Sequence, residues 1–322
     1  MRKIKWGVLG TADIARGETI PGMQLAENCE LYAIAGRRMN KAEAFRQRFG
    51  FEKAYDSYAA LLADPEVEAV YVPLPNDLHH PWVIRALQAG KHVLCEKPLA
   101  VSEQQVREMF AAAEANHVVL MEAFAYLHSP FVSAVKAELE SGVIGEIRYM
   151  DTAFVAGRRP DTDIRLRRET YGGAMYDLGC YAVSMALWLM GREPEKVSAA
   201  AHFSGQGIDL ATSALLVFDD EAIASCECGM IRSMGRHDRF QICGTKGEIS
   251  SHYAFNQPGE LSYTVSTADG RVTRTVIARS NYTLEVEQMG RCAAGEEQPH
   301  VPAAFSILNA RVTDRILRSA GY

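Results

Sequence analysis

No apolar run in the sequence approaches the roughly 18 residues that a membrane-crossing helix needs. No apolar stretch with a small-residue cleavage site follows Met1-Arg2-Lys3-Ile4-Lys5-Trp6, which runs straight into a strand pattern, so no secretory leader is expected. Basic charge is not in excess. Against 40 acidic side chains stand 34 Lys and Arg, and the net charge of −6 gives no electrostatic footprint for nucleic acid. The seven cysteines are an odd, scattered set. That suits reduced thiols better than a disulfide framework, so a cytoplasmic location is expected. Cys226 and Cys228 face one way on a strand-like run, but no second cysteine or histidine pair stands at zinc spacing, so no metal is expected. There is no linker rich in Ser or Pro, no low-complexity segment and no repeat.

What remains is an ordinary globular composition, 48% hydrophobic and 23% charged, in 322 residues, enough for two cores. The first 120 or so residues alternate strand and helix patterns. Strands are expected over 3–9, 31–35, 68–72, 91–95 and 118–121. Helices are expected over 14–25 (with Pro21 bending or ending the first), 40–49, 58–62, 81–89 and 102–115, with Ser102 as an N-cap. This alternation implies right-handed crossovers and a parallel sheet. After Glu122 the architecture changes. One helix, 130–140, leads into strand-like segments at 146–154, 197–203, 213–218, 223–229, 239–243, 248–251, 261–265 and 271–277. Short turns suggest antiparallel hairpins. A helix over 173–189 interrupts them, and helices over 282–291 and 301–318 end the chain. Two packed domains, 1–122 and 123–322, are expected, and the 301–318 helix can pack back on the first.

The segment Gly7-Val8-Leu9-Gly10-Thr11-Ala12-Asp13-Ile14-Ala15 joins the first strand to the first helix. Gly10 permits a tight turn, Ala15 lets helix and strand approach, and the helix start offers free N–H groups to a pyrophosphate. Ala12 departs from the usual glycine, but the strand–turn–helix context is the one a dinucleotide site requires. Gly10, Thr11, Ala12, Asp13 and Ile14 are therefore candidate cofactor contacts. The second strand ends at Arg37-Arg38, where an NAD site wants an acidic residue; arginine suits a 2′-phosphate, which favours NADP over NAD. Leu74, Pro75, Asn76 and His79 follow the third strand. Asn76 and His79 are expected to point over the nicotinamide end of the crevice, His79 as a cofactor or substrate contact. Lys97, in Cys95-Glu96-Lys97-Pro98, places a cation after a buried strand, at the sheet edge where ligands bind. A cis Lys97–Pro98 bond would aim the ammonium into the cleft.

These blocks, with Met121-Glu122-Ala123-Phe124, Gly172-Gly173-Ala174-Met175-Tyr176-Asp177-Leu178-Gly179-Cys180-Tyr181 and Gly244-Thr245-Lys246-Gly247, resemble the Gfo/Idh/MocA oxidoreductases (glucose–fructose oxidoreductase and inositol dehydrogenase type) along essentially the whole chain. The nearest branches are the NADP-dependent aldose (xylose) dehydrogenases and the dimeric dihydrodiol dehydrogenases. The resemblance implies an α/β Rossmann domain, then an α+β domain with a large open, mainly antiparallel sheet. It implies that Lys97, Asp177 and Tyr181 meet at the nicotinamide as catalytic and substrate-binding residues. Residue spacing agrees, since Asp177 and Tyr181 are i and i+4. A free tyrosine titrates near about pH 10, and an adjacent ammonium stabilises its phenolate. Tyr181 is therefore expected as general acid/base with Lys97 as electrostatic partner, although the two roles could be exchanged. Asp177 is expected to bind a substrate hydroxyl and to fix Lys97. Glu96 and, in a loop crowded with Arg158, Arg159, Arg167 and Arg168, Arg165 are carried over as cofactor contacts. Phe124 is expected to begin the second domain and to pack on nicotinamide or substrate.

The expected activity is hydride transfer between NADP and an aldose or related cyclic polyol. A dihydrodiol or dicarbonyl reductase sharing the same site is the alternative enzyme, and a non-catalytic NAD(P)-sensing regulator the alternative class. A homodimer or homotetramer through the exposed face of the second-domain sheet is expected.

Overall fold

The computed structural model describes residues 2–232, 236–252 and 255–322. The chain forms two compact units, one of residues 1–128 and 280–306, the other of 129–279 and 307–322. The first unit thus extends six residues beyond the expected boundary at 122 and takes back a segment from near the C-terminus.

In the first unit β1 (Ile4–Leu9), β2 (Cys29–Ala35), β3 (Lys53–Tyr55), β4 (Ala69–Val72), β5 (His92–Glu96) and β6 (Leu120–Ala123) form a parallel sheet in the order β3-β2-β1-β4-β5-β6. The crossovers are α1 (Ile20–Leu25), α2 (Met39–Phe49), α3 (Tyr58–Leu62), α4 (Asn76–Gln88) and α5 (Glu103–Ala115). Trp6, Val8, Leu9, Ile34, Val70, Tyr71, Leu94 and Cys95 are fully enclosed, as a sheet covered on both faces requires. Strand order reverses between β1 and β4, which opens a crevice beyond their C-terminal ends.

Three local features differ from the sequence reading. Pro21 does not end the first helix: a π-helical turn, Ala15–Thr19, precedes it and Pro21 falls in the first turn of α1. The helix expected from Pro81 starts five residues earlier, at Asn76, and carries Pro81 inside it. The three-residue strand β3, too short to show alternation, was not anticipated.

In the second unit α6 (Pro130–Glu140) leads into β7 (Ile147–Gly157); α7 (Cys180–Met190) then precedes β8 (Lys196–Phe203), β9 (Asp209–Val217), β10 (Ile223–Arg232), β11 (His237–Gly244), β12 (Gly247–Ser251), β13 (Gly259–Thr267) and β14 (Gly270–Ala278). The sheet order is β14-β13-β12-β11-β7-β10-β9-β8. Every neighbouring pair is antiparallel except β7 and β10, which pair in parallel. Helices α6 and α7 pack on this sheet. Tyr149, Leu215 and Ile223 remain exposed on adjacent strands, with Tyr149 directly opposite Ile223. Two further helices follow, α8 (Asn281–Ala293) in the first unit and α9 (Ala303–Ala320), whose first residues belong to the first unit and the rest to the second.

Candidate active site

In the first unit, β1 delivers the chain into Gly10 at φ +124°, a backbone conformation that L side chains rarely adopt. A Cβ there would sit 3.2 Å from the Leu74 side chain, a tight contact that adds to the backbone strain. Thr11, Ala12 and Ile14 are half-buried around it. Asp13 is exposed and pairs with Arg16 at 2.7 Å. Arg37 and Arg38 are exposed at the end of β2, where a phosphate can reach them, and the Arg37 charge acts on the Tyr58 phenol. This glycine cradle, helix start and arginine pair fit NADP.

The Lys97–Pro98 bond is cis, as expected from the sequence, and Lys97 is half-buried. Glu96 turns inward: its Oε1 accepts from the Tyr71 hydroxyl at 2.6 Å, and Tyr71 accepts from Thr19 at 2.9 Å. Beside it on β6, Glu122 is buried and its Oε1 accepts from the Leu99 N–H at 2.9 Å. Burial, the largest influence, pushes Glu122 up to about 7, against the downward pull of Ser306, the Leu99 N–H and Lys97.

Two first-unit expectations are corrected. His79 does not project over the crevice. Its ring is fully buried, and both nitrogens face main-chain carbonyls. Phe124 belongs to the first unit, where it has no exposed surface and lies edge-on to Tyr126 and Phe305. A ring so enclosed by aromatic neighbours is core. Leu74, Pro75 and Asn76 line the β4–α4 junction, Leu74 buried and the other two half-buried.

In the second unit, Asp177 sits in a π-helical turn, Met175–Gly179, that runs directly into α7 and Tyr181. Its carboxylate meets two guanidinium groups: Arg165 Nε lies 3.0 Å from Oδ1 and Arg159 Nη2 3.2 Å from Oδ2. Asp163 holds Arg165 from the other side at 3.3 Å. The Asp177 charge, foremost, raises the Arg165 pKa. Gly172 and Gly173 fold over this loop, the Gly173 N–H donating to the Arg165 carbonyl at 2.9 Å. The turn is anchored from below by buried Asp209 of β9, whose Oδ2 accepts from the Met175 N–H and the Thr212 hydroxyl, both at 2.8 Å.

Tyr181 is 7% exposed and set in an aromatic wall. Phe154 and Phe255 flank it at 5.3 and 5.2 Å between ring centroids and stack on each other at 5.3 Å. The Asn256 amide lies 3.5 Å from its hydroxyl. Arg236 covers the Phe154 face at 4.1 Å and donates to the Phe255 carbonyl at 2.8 Å. Asp238 pairs with Arg236 and accepts from the Phe255 N–H at 2.9 Å. Sequence reading missed Phe154, Phe255, Asn256, Arg236, Asp238 and Asp209. Phe154 and Asp238 lie on strands whose faces alternate, and Asp209 opens β9; Arg236, Phe255 and Asn256 lie outside the strands. Arg159 was noticed only as one of a crowd.

Residues 4–124 match the family model described as oxidoreductase family, NAD-binding Rossmann fold, and residues 132–250 match the GFO/IDH/MocA C-terminal domain. The chain is 37% identical to D-xylose 1-dehydrogenase (NADP(+)) 2 of Haloferax volcanii, over 98% of this chain and 97% of that one. It is therefore a member of the Gfo/Idh/MocA oxidoreductase family. It is also 38% identical to the dTDP-3,4-didehydro-2,6-dideoxy-alpha-D-glucose 3-reductase of Streptomyces violaceoruber (99% and 96% covered) and 34% identical to the trans-1,2-dihydrobenzene-1,2-diol dehydrogenase of Xenopus laevis (98% of each). Among solved structures it is similar to KijD10, a 3-ketoreductase from Actinomadura kijaniata in complex with NADP and TDP-benzene, with TM-score 0.93, 32% identity, and 99% and 98% of the two chains covered. This family member is an NADP-dependent, sugar-related oxidoreductase. Among the described residues no helix is long and apolar enough to cross a membrane, and no group of His, Cys, Asp and Glu could hold a metal ion.

Proposed function

We propose that this enzyme interconverts an alcohol and a carbonyl on an aldose or a related cyclic polyol, with Tyr181 and Lys97 as its acid/base pair. The observation that supports this most is the setting of Tyr181: a nearly buried phenol on the helix that also presents Asp177, with an amide facing its hydroxyl. NADP supplies or accepts the hydride. In that reading Gly10, Thr11, Ala12, Asp13 and Ile14 hold its pyrophosphate end, Arg37 and Arg38 its 2′-phosphate, and Leu74, Pro75 and Asn76 contribute along its length, while Glu96 is turned to Tyr71 and Arg165 to Asp177.

The Tyr181 hydroxyl then gives a proton to the developing alkoxide in reduction, or takes one from the hydroxyl in oxidation. The Lys97 ammonium stabilises the phenolate and orients the reacting oxygen. Asp177, fixed by Arg159 and Arg165, receives a neighbouring substrate hydroxyl.

The aromatic wall supports a second reading. Phe154 and Phe255 suit a substrate with an apolar face, such as a deoxy keto-sugar or a cyclic dihydrodiol, more than a fully hydroxylated ring. The test is NADP reduction with a panel of aldoses, polyols and trans-dihydrodiols, and NADPH oxidation with keto-sugars. Lys97→Met and Tyr181→Phe should abolish turnover and keep NADPH binding. Tight NADPH binding with no turnover of any compound would favour a cofactor-sensing regulator.

We also infer that a second copy of the chain covers the exposed Tyr149, Leu215 and Ile223 on the second-unit sheet. A monomer by light scattering at micromolar concentration would refute it.

A further inference from the structure

His79 presents both ring nitrogens to hydrogen-bond acceptors. Nδ1 lies 2.9 Å from the Pro98 carbonyl oxygen and Nε2 lies 2.7 Å from the Leu74 carbonyl oxygen. The ring has no exposed surface, so bulk water competes for neither contact. A carbonyl oxygen only accepts, and a neutral imidazole carries one N–H. Both contacts can be hydrogen bonds only when the ring carries two protons. In either neutral tautomer one carbonyl faces a ring lone pair at the same short distance, which is repulsive.

The two carbonyls belong to the two segments that matter most in this unit. Pro98 follows Lys97 directly. Leu74 lies in the β4–α4 loop between two prolines that have no N–H to offer, and its side chain backs Gly10 of the dinucleotide turn. We propose that His79 is a positioning residue whose doubly protonated ring ties the Lys97–Pro98 turn to the Leu74 loop, and that loss of one ring proton releases one of the two.

Burial disfavours the cation most, and Lys97 adds to that; the two carbonyls and Asp77, on the same helix, favour it. The balance falls below the ordinary histidine value, so the full clamp forms on the acid side of neutrality. Among the titratable groups on the elements around α4, Glu96 of β5 accepts from Tyr71 of β4, Glu122 of β6 accepts from the Leu99 N–H, Glu103 of α5 pairs with Arg107 and Glu108 with His80, and Cys95 of β5 is a buried thiol. The proposal depends on NADP binding and not on which substrate is turned over.

The experiment follows the two ring nitrogens of His79 by 15N NMR in the NADPH-bound protein from about pH 5 to 8, the range in which histidine titrates. NADPH affinity is measured in parallel for the wild type and for His79→Gln, which can donate from one nitrogen only. The expected result is one step from a single N–H to two. Across that step the ratio of the wild-type and variant dissociation constants should change at least about fivefold, the lower end of coupling between linked sites. Titration of the cofactor phosphate cancels in that ratio. A ring that keeps one N–H throughout overturns the proposal, as does a titrating ring with a constant ratio. Should His79→Gln not fold, the ring nitrogens and the wild-type pH dependence of Lys97–Pro98 backbone shifts decide, and shifts unmoved by the ring's titration overturn it. Neither readout uses a substrate, so failure of the sugar assignment leaves this test intact.

Discussion

Arg165 Nε lies 3.0 Å from Asp177 Oδ1, and Arg159 holds the other carboxylate oxygen at 3.2 Å. Two guanidinium groups fix the direction of this carboxylate. That fixed direction suits the proposed role of Asp177 in orienting a substrate hydroxyl, with proton transfer assigned in the same proposal to Tyr181 and Lys97.

Arg165→Ala should lower kcat about tenfold, equivalent to about 1.4 kcal/mol of transition-state stabilisation, with NADPH affinity nearly unchanged. Steady-state kinetics beside a cofactor titration separates the two quantities. A variant that loses cofactor affinity and keeps kcat would instead place Arg165 on the cofactor.

Arg37 is exposed at the end of β2, with no acidic residue beside it in Gly36-Arg37-Arg38. A charge-assisted bond to a 2′-phosphate is worth about 1.5–3 kcal/mol, so Arg37→Ser should weaken NADP binding by about 10- to 100-fold and leave NAD binding almost unchanged. Equal losses for both cofactors would remove Arg37 from that role.

Much of the first unit was legible because its strands are buried on both faces and punctuated by glycine, and because Gly10 and Pro98 impose backbone geometry that few other residues allow. Tyr58–Leu62 and Pro130–Glu140 fall where the sequence pattern placed them. The second-unit site was less legible. Asp177 and Tyr181 share a helix and could be paired by spacing. Phe255 and Asn256 reach Tyr181 through long-range folding of a loop, which no local pattern encodes. His79 and Phe124 were read as site residues because they stand beside the motifs, whereas burial decided their orientation.

Glu122 ties stability to pH with a definite sign. Its carboxyl is raised from the ordinary 4.5 to about 7 by burial. The folded state therefore holds the proton over a range in which the unfolded chain has released it. Stability from this group is fully present below about 4.5 and lost as pH rises through about 7, on the order of 3 kcal/mol in all. Asp209, raised to about 6, acts in the same direction in the other unit. Glu122→Gln keeps an acceptor for the Leu99 N–H and abolishes the titration. Thermal melts should show the variant gaining on the wild type between about pH 5 and 8; parallel curves would show that Glu122 titrates normally in the fold.

Gly173 should tolerate no side chain. Its φ is +128°, and a Cβ would lie 2.1 Å from Asp209 Oδ1. Asp209 cannot easily withdraw, because its other oxygen accepts from the Met175 N–H and the Thr212 hydroxyl at 2.8 Å. Gly173→Ala must therefore displace the carboxylate that caps the Asp177 turn, at a cost of about 2–4 kcal/mol from backbone strain and overpacking together. Gly191, at the end of α7, provides the control. Its φ is +70°, and nothing lies within 4 Å of its Cβ position, so Gly191→Ala should cost only about 1 kcal/mol of backbone strain. Thermal unfolding of the two variants gives the comparison, and kcat is expected to fall only in Gly173→Ala, whose strain falls on the turn that places Asp177 and Tyr181. Equal destabilisation with unchanged kcat in both would show that Asp209 and the turn can relax independently of the site.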